Sequence, residues 1–281
     1  MEGNSRGPLG RIGIRFLKYG LFALAAIELY PVALILFTAM KSGAETATNP
    51  FGPPAAPRLE NFTKAWKAAS FGTAMANSAL ITGAAIIGII IFGSMASYPL
   101  ARRPGKWHAF IYLFFVSLIM VPFQMAMIPL YRTIQALGWI NTYKAVILTE
   151  IACALPFTVF LYTGFMKAVP KEIEESGVMD GCNSFTIFSR LVFPMLKPAT
   201  ATVVILNTLG FWNDFLMPLL FLQKRGMRTV QVALFAFQGQ YNTNWNLLFA
   251  AVTIAACPML LLFLSMQRDF IKGIAAGAVK G

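Results

Sequence analysis

The chain has 281 residues, of which 57% are hydrophobic and only 12% are charged. This composition is typical of an integral membrane protein and excludes an ordinary soluble globular domain. The formal net charge of +12 does not indicate nucleic-acid binding, because no segment is large enough to present a folded basic face. The charge is better explained as a signal of membrane topology.

Six apolar stretches are long enough to cross a hydrocarbon core of ~30 Å as helices. They lie near residues 19–40, 74–100, 108–130, 145–166, 198–222 and 247–266. The first stretch is too long for a cleaved signal peptide and lacks a small-residue cleavage site, so we expect it to stay in the membrane. The sequence therefore predicts an all-α fold, a polytopic bundle of six transmembrane helices formed by residues 1–281 as a single domain.

The distribution of Lys and Arg predicts the orientation of these spans. Of the 23 such residues, 14 lie at the two termini, in the turn 101–107 and in the loop 167–197, and nine lie in the three remaining loops. This bias places both termini and the loop 167–197 in the cytoplasm. On the outer side, the loop 41–73 carries a Pro-rich run, which predicts an extended surface connection, followed by a segment with helical spacing.

Residues 171–194 form a charged segment of helix-forming character between two apolar stretches. Three of its four acidic residues stand where the dipole at the start of a helix favours negative charge. The four are Glu172, Glu174, Glu175 and Asp180. Gly181 then provides a C-terminal stop, and Asn183 or Ser184 can cap a second helix, Phe185 to Val192, which Pro194 closes. The pattern predicts a helix–turn–helix outside the bilayer.

A solvated linker is the alternative interpretation of this segment. Against it stand the small residues Ser176, Gly177 and Gly181 and five large apolar residues that we expect to be exposed. These five are Val178, Met179, Phe185, Phe188 and Leu191. A solvated linker does not need such a set, so the segment is predicted to bind a partner protein.

The run Glu175-Ser176-Gly177 is followed after three residues by Gly181 and then by Leu191-Val192-Phe193-Pro194. This spacing resembles the EAA loop of ATP-binding-cassette (ABC) importer permeases, although both alanines are replaced by other small residues. Asn207 to Leu222 resembles the fifth span of carbohydrate permeases, and the tail from Gln267 to Gly281 resembles their usual C-terminus. The chain is similar over nearly its whole length to the smaller permease of maltose-type transporters.

The resemblance implies that the segment couples the chain to a cytosolic ATPase. The coupling residues would be Glu174, Glu175, Ser176, Gly177, Met179, Asp180, Gly181, Phe185, Leu191, Phe193 and Pro194. It implies three protein partners: a second, homologous permease, a dimer of a cytosolic ABC ATPase, and an extracytoplasmic solute-binding protein. The last would face a polar run in the loop 223–246, made of Gln238, Gly239, Gln240 and Tyr241. The location would be the plasma (inner) membrane of a bacterium or archaeon.

No motif for catalysis or cofactor binding is found in the sequence. There is no G-x-x-x-x-G-K-[ST] phosphate loop, and no metal or nucleophile constellation. We therefore expect no catalytic site, no metal and no cofactor in this chain, with ATP and Mg²⁺ on the partner ATPase. The chain is predicted not to be an enzyme.

Acidic residues near the membrane interior indicate function, because their burial is costly. Three qualify, namely Glu28, Glu150 and Asp214; for Glu150 we expect a hydrated, interfacial position. Asp214 follows Trp212 and Asn213, and Asn207 lies about two helical turns earlier on roughly the same face. Such a cluster suits a sugar path, since rings stack on sugar faces while amides and carboxylates bond hydroxyls. Hydrogen bonding between helices is the competing explanation.

Together these features predict a permease subunit of an ATP-driven ABC importer, which forms half of the translocation path for a di- or oligosaccharide. A glycerol phosphate or another polyol is the alternative solute. An ion-coupled secondary transporter is the alternative class, and it is expected to have broken helices in matching halves or a chain of intramembrane acids. The three acidic residues named above lie too far apart in the sequence to form such a chain.

Overall fold

The computed structural model describes the backbone of residues 8–235, 237 and 244–278, and the side chains within 17–235, 237 and 244–267. These residues form helices, turns and irregular segments, with no β-strand among them, which confirms the all-α prediction. They divide into two compact units. One lies within Met1–Ala69 and Ala236–Ala255, and the other within Ser70–Phe235 and Ala256–Gly281.

The α-helices, in chain order, are α1 (Pro8–Ala39), α2 (Gly43–Thr48), α3 (Glu60–Ala68), α4 (Phe71–Arg102), α5 (Lys106–Ile119), α6 (Met127–Ala136), α7 (Tyr143–Met166), α8 (Glu172–Met179), α9 (Ser184–Thr186), α10 (Phe193–Met195), α11 (Lys197–Asn213), α12 (Leu216–Phe221), α13 (Val230–Phe235) and α14 (Trp245–Ala278). Two short 3₁₀ helices, Phe123–Ala126 and Arg225–Met227, and one π-helix, Ile187–Val192, complete the described elements. Within the described ranges, α1, α4, α7 and α14 are long and apolar enough to cross a membrane as single helices. These four coincide with four of the predicted spans.

The third predicted span, near 108–130, is not a single helix. α5 ends at Ile119, and the chain bends by 92° before it continues through Phe123–Ala126 and α6. Pro122 explains the break, because it has no N–H to donate and disfavours the helical conformation at Val121.

The fifth predicted span, near 198–222, is also broken. α11 ends at Asn213, and Asp214 is extended (φ −67°, ψ 121°). Asp214 Oδ1 accepts hydrogen bonds from the backbone N–H groups of Leu216 and Met217, at 3.0 and 3.4 Å. The carboxylate therefore caps the start of α12. At its other end, α11 is bent by 73° from the preceding helical segment, Ser184–Met195.

The larger unit is built on close packing between α4, α7 and α11. Ser97 Oγ of α4 donates to the carbonyl of Val159 in α7, at 3.2 Å. Gly93 lies against Thr158, and an added Cβ would collide with that side chain. The fully buried Tyr162 donates its hydroxyl to Thr200 Oγ1 of α11, at 3.1 Å. The three helices thus form one core, on which the segment 171–194 rests.

In the other unit, buried polar groups anchor the connection that follows α1. Lys41 is fully buried, and its Nζ donates to the carbonyls of Asn49, at 2.6 Å, and Pro50, at 3.4 Å. Asn61 Nδ2 donates to the carbonyls of Ala39 and Lys41, both at 2.8 Å. The Pro-rich run is thereby held close to the end of α1, and α3 confirms the helix predicted after it.

Candidate functional site

The segment 171–194 consists of two helical pieces joined by a tight turn, as the sequence predicts. α8 begins with three glutamates in its first turn. It ends in a Schellman arrangement, in which the N–H of Cys182 donates to the Gly177 carbonyl at 2.9 Å and the N–H of Gly181 to the Val178 carbonyl at 3.0 Å. Gly181 has φ +77°, a conformation that only glycine adopts without steric cost. The predicted stop at Gly181 is confirmed.

The second piece begins at the predicted cap and then departs from a regular α-helix. Asn183 Oδ1 accepts a hydrogen bond from the N–H of Thr186 at 2.9 Å, so Asn183 rather than Ser184 is the cap. Residues Ile187–Val192 are π-helical, and α10 carries the piece past Pro194, which therefore does not close it. Short π-helical segments are rare in proteins, and those that occur are often found at functional sites.

The two pieces pack directly against each other at Gly177, which is buried. A Cβ at this position would lie 2.7 Å from Leu191 Cδ1 and 3.2 Å from Ile187 Cγ1. The small residue is therefore required for the close approach of α8 to the π-helix.

The inner side of the second piece is anchored in the core of the larger unit. Ile187, Phe188 and Val192 are buried there, and the rings of Phe188 and Tyr98 have centroids 5.2 Å apart. Phe193 packs on Phe188 with a centroid distance of 6.0 Å. The prediction that Phe188 and Leu191 are exposed is wrong, because the π-helix turns both side chains inward.

The outer side of the segment carries an exposed apolar set, made of Val178 (61% exposed), Met179 (87%) and Phe185 (67%). The carboxylates of Glu175 and Asp180 flank it and are also exposed, as are Ser176 and Pro194. Of the coupling residues predicted from the sequence, the structure thus presents Glu175, Ser176, Met179, Asp180, Phe185 and Pro194 on the surface. It uses Gly177, Leu191 and Phe193 for internal packing.

Glu174 has a different environment from Glu175. Arg102 Nε donates to Glu174 Oε1 at 2.5 Å, and the hydroxyl of Tyr98 donates to Oε2 at 2.8 Å. Arg102 also donates through Nη2 to the carbonyl of Val169 at 3.0 Å. The side chains of Arg102 and Glu174 are only 10% and 15% exposed. The carboxylate predicted to meet the ATPase therefore ties α8 to the end of α4, a contact that sequence reasoning missed.

The four residues predicted for the solute path lie at the end of α11. Trp212 is buried and Asn213 is exposed. The amide groups of Asn207 and Asn213 each donate to a carbonyl of their own helix, at 2.9 Å. The side-chain oxygen Oδ1 of Asn213 also accepts from Gln231 Nε2 at 3.0 Å. Contacts within the unit thus engage the Nδ2 groups of both asparagines.

Asp214 and Glu150 carry buried carboxyl oxygens that contacts within the unit leave without a hydrogen-bond partner. Among the described residues, Asp214 Oδ2 and both carboxyl oxygens of Glu150 are buried without a hydrogen-bond partner. Glu150 is 4% exposed, so the prediction that it is hydrated is wrong, because the protein encloses its side chain. Glu28, by contrast, is exposed on α1.

Gln238, Gly239, Gln240 and Tyr241 lie outside the described residues, and their role remains a prediction.

Comparison with known proteins identifies the family. Residues 89–274 match the family described as the binding-protein-dependent transport system inner membrane component. The chain belongs to this family, and it is a transport subunit of the inner membrane rather than an enzyme.

Individual relatives agree with this assignment. The melibiose/raffinose/stachyose import permease protein MelC of Bacillus subtilis (strain 168) is 38% identical over 259 residues, which cover 92% of this chain and 94% of the relative. The probable starch degradation products transport system permease protein AmyC of Thermoanaerobacterium thermosulfurigenes is 34% identical, covering 92% and 93%. Among solved structures, a bacterial ABC transporter involved in the import of alginate superposes with a TM-score of 0.81 at 20% identity, covering 96% of this chain and all of that one. This last likeness establishes a shared fold.

Proposed function

We propose that this chain is one of two permease subunits of an ATP-driven sugar importer, and that segment 171–194 docks on a cytosolic ABC ATPase dimer. The observation that carries the proposal is the exposed apolar set, Val178, Met179 and Phe185, on a segment whose inner side is packed into the bundle. Burial of each such side chain against a partner contributes about 1.5–3 kcal/mol. Glu175 and Asp180 beside the set supply negative charge for basic groups of the ATPase.

The anchoring of the segment supports a mechanical role. Phe188 and Val192 are buried against the spans, and Glu174 is ion-paired with Arg102. Movement of the ATPase would therefore be passed to α4, α7 and α11 as movement of one rigid body. Packed helix bundles change between discrete arrangements, so this input would switch the path between outward-facing and inward-facing states. ATP and Mg²⁺ would bind to the ATPase, and both termini of this chain would lie in the cytoplasm.

The proposed solute is a di- or oligosaccharide, supported by the solutes in the names of the relatives, which include melibiose, raffinose, stachyose and starch degradation products. The unbonded oxygens of Asp214 and Glu150 are acceptors suited to sugar hydroxyls. A solute-binding protein would deliver the sugar to the loops 41–73 and 223–246. Stimulation of the complex by sugars and by glycerol phosphates, measured as ATP hydrolysis in the presence of the binding protein, distinguishes the solute classes.

The docking proposal is tested with Met179→Ser and Phe185→Ser. Each variant should reach the membrane at the wild-type level, and each should lower ATPase co-purification and sugar uptake roughly tenfold or more. Met195→Ser removes an apolar side chain of the same region that is 45% exposed and should leave both readouts near wild type. ATPase recovery equal to wild type in the Met179→Ser/Phe185→Ser double variant would refute docking through this face.

The dependence on an ATPase is tested separately by replacing the phosphate-loop lysine of the partner ATPase. Uptake into proteoliposomes should then stop. Uptake that persists and follows a proton or sodium gradient would establish the secondary-transporter alternative.

A further inference from the structure

A pocket of about 500 Å³ opens where three helices of the larger unit end. Its wall includes the end of α4, the turn after it, the start of α5 and the residues after α7. α4 and α7 are candidate membrane spans and α5 belongs to a broken one, so we place the pocket at the boundary between hydrocarbon and water.

The polar part of the pocket is basic. Arg103, His108, Lys167 and Lys171 line it, and no acidic residue does. Among the described side chains, the ion pairs involve Arg58, Lys64 and Arg102, so Arg103, Lys167 and Lys171 have no carboxylate partner there. Arg102, which also lines the pocket, is already paired with Glu174. Three cations without a carboxylate partner around one cavity favour the binding of an anion.

The arrangement of the walls indicates which anion. Lys167 Nζ lies 5.2 Å from the centroid of the Tyr112 ring, a cation–π contact that holds the ammonium group at the pocket. The lining also has an apolar part, which includes Ala109 and Leu113 on α5, and Leu113 is 63% exposed. A ligand here meets positive charge at one end and a lipid-facing helix at the other. A free phosphate would use only the first of these features.

We propose that this pocket binds the phosphate group of an anionic membrane lipid, with the acyl chains along the exposed face of α5. Basic pockets between helix ends suit such headgroups, because the negative phosphate balances the positive side chains while the acyl chains stay in the hydrocarbon. The site is independent of solute transport, and it lies in the leaflet on the same side as segment 171–194.

The test measures bound lipid by native mass spectrometry. The full-length chain, with whichever subunits co-purify, is released from nanodiscs of phosphatidylglycerol and phosphatidylcholine. The wild-type chain should retain phosphatidylglycerol preferentially. The triple variant Arg103→Gln/Lys167→Gln/Lys171→Gln should bind it more weakly, by roughly fivefold for each cation removed.

A matched control removes the same charge from the same side of the membrane. Lys106, Arg190 and Lys197 are exposed and do not line the pocket, so Lys106→Gln/Arg190→Gln/Lys197→Gln should retain the lipid as the wild type does. Equal loss in both triple variants would show diffuse attraction to the membrane surface and overturn the site. Displacement of the lipid by millimolar inorganic phosphate would overturn the assignment to lipid, because it would show that the acyl chains contribute nothing.

Discussion

Arg102, the last residue of α4, and Glu174, in the first turn of α8, form an ion pair across 72 positions of sequence, with Nε and Oε1 separated by 2.5 Å. Tyr98, one turn earlier on α4, donates to the second oxygen of the same carboxylate. Charge-assisted hydrogen bonds between mostly buried groups are stronger than those at the surface. The proposed coupling segment is therefore fixed to a membrane span by a specific contact, in addition to its apolar packing.

Gly181→Val is expected to disrupt docking by strain rather than by collision. A Cβ at Gly181 has no neighbour within 4 Å, but the φ of +77° is strained for a β-branched residue. The variant should insert into the membrane normally and should lose most ATPase co-purification and uptake. Gly181→Asn is the control, because Asn tolerates this conformation, and it should retain most activity. Wild-type uptake in Gly181→Val would contradict a coupling role for the turn.

Gly177→Ala is expected to separate α8 from the π-helix, because the new Cβ would press on Leu191 and Ile187. Overpacking of this kind costs about 1–3 kcal/mol. Limited proteolysis at the segment should be faster, and the added substitution Leu191→Ala should restore protection by making room. Ser176→Ala, at an exposed neighbouring position, should not change the rate. If Leu191→Ala does not slow the proteolysis of Gly177→Ala, the contact between Gly177 and Leu191 does not determine the stability of the segment.

Asp214→Asn separates the capping role of this residue from its charge. Asn also caps helices well, so the start of α12 should be preserved and thermal stability should stay close to wild type. If Oδ2 accepts a hydrogen bond from the solute, uptake should fall roughly tenfold or more, since hydrogen bonds to charged groups are the stronger kind. Asp214→Ala should lower stability as well, by about 1 kcal/mol. Unchanged uptake in Asp214→Asn would restrict the residue to a structural role.

The proposed orientation is tested by cysteine labelling in a variant that lacks Cys153, Cys182 and Cys257. A cysteine at Gly226 should react with an impermeant reagent added outside the cell, and a cysteine at the exposed Lys106 should not. The reverse pattern would invert the topology and remove the cytoplasmic placement of the coupling segment.

The features predicted correctly from the sequence are those that local rules determine. The lengths of the apolar stretches predicted the four spans that are single helices, because a span needs only a continuous run of apolar residues. Gly181 predicted the end of α8 and Asn183 predicted the next cap, because each of these signals acts within a few residues. Pro122 carried a similar local signal for the break after α5, but the apolar composition around it favoured a continuous span. The break at Asp214 depends on the carboxylate of this residue, which caps the start of α12. Apolar composition does not reveal such a contact.

The remaining differences arise from tertiary packing. Phe188 and Met179 are both large and apolar, yet Phe188 is 8% exposed and Met179 is 87% exposed. Phe188 belongs to the π-helix, which packs on the core, whereas Met179 is the last residue of α8 and lies on the outer side of the segment. This difference depends on how the two pieces pack, which apolar spacing does not reveal. Likewise, Glu174 and Glu175 are chemically identical neighbours, and only the position of Arg102 distinguishes the internal carboxylate from the exposed one.

Charge reversal tests whether segment 171–194 transmits motion because it is fixed to α4. Arg102→Glu and Glu174→Arg should each permit membrane insertion and should each lower uptake per ATP hydrolysed roughly tenfold, since each brings like charges together in a mostly buried place. Lys106→Glu and Glu172→Arg are the controls, because both residues are exposed in the same two regions, and they should stay near wild type.

The decisive measurement is uptake per ATP hydrolysed by the double variant Arg102→Glu/Glu174→Arg in proteoliposomes, at matched protein level. We expect the double variant to recover much of the coupling lost in either single variant, because the opposite charges are restored across the same contact. A double variant no better than the worse single variant, with the segment still folded by limited proteolysis, would contradict it.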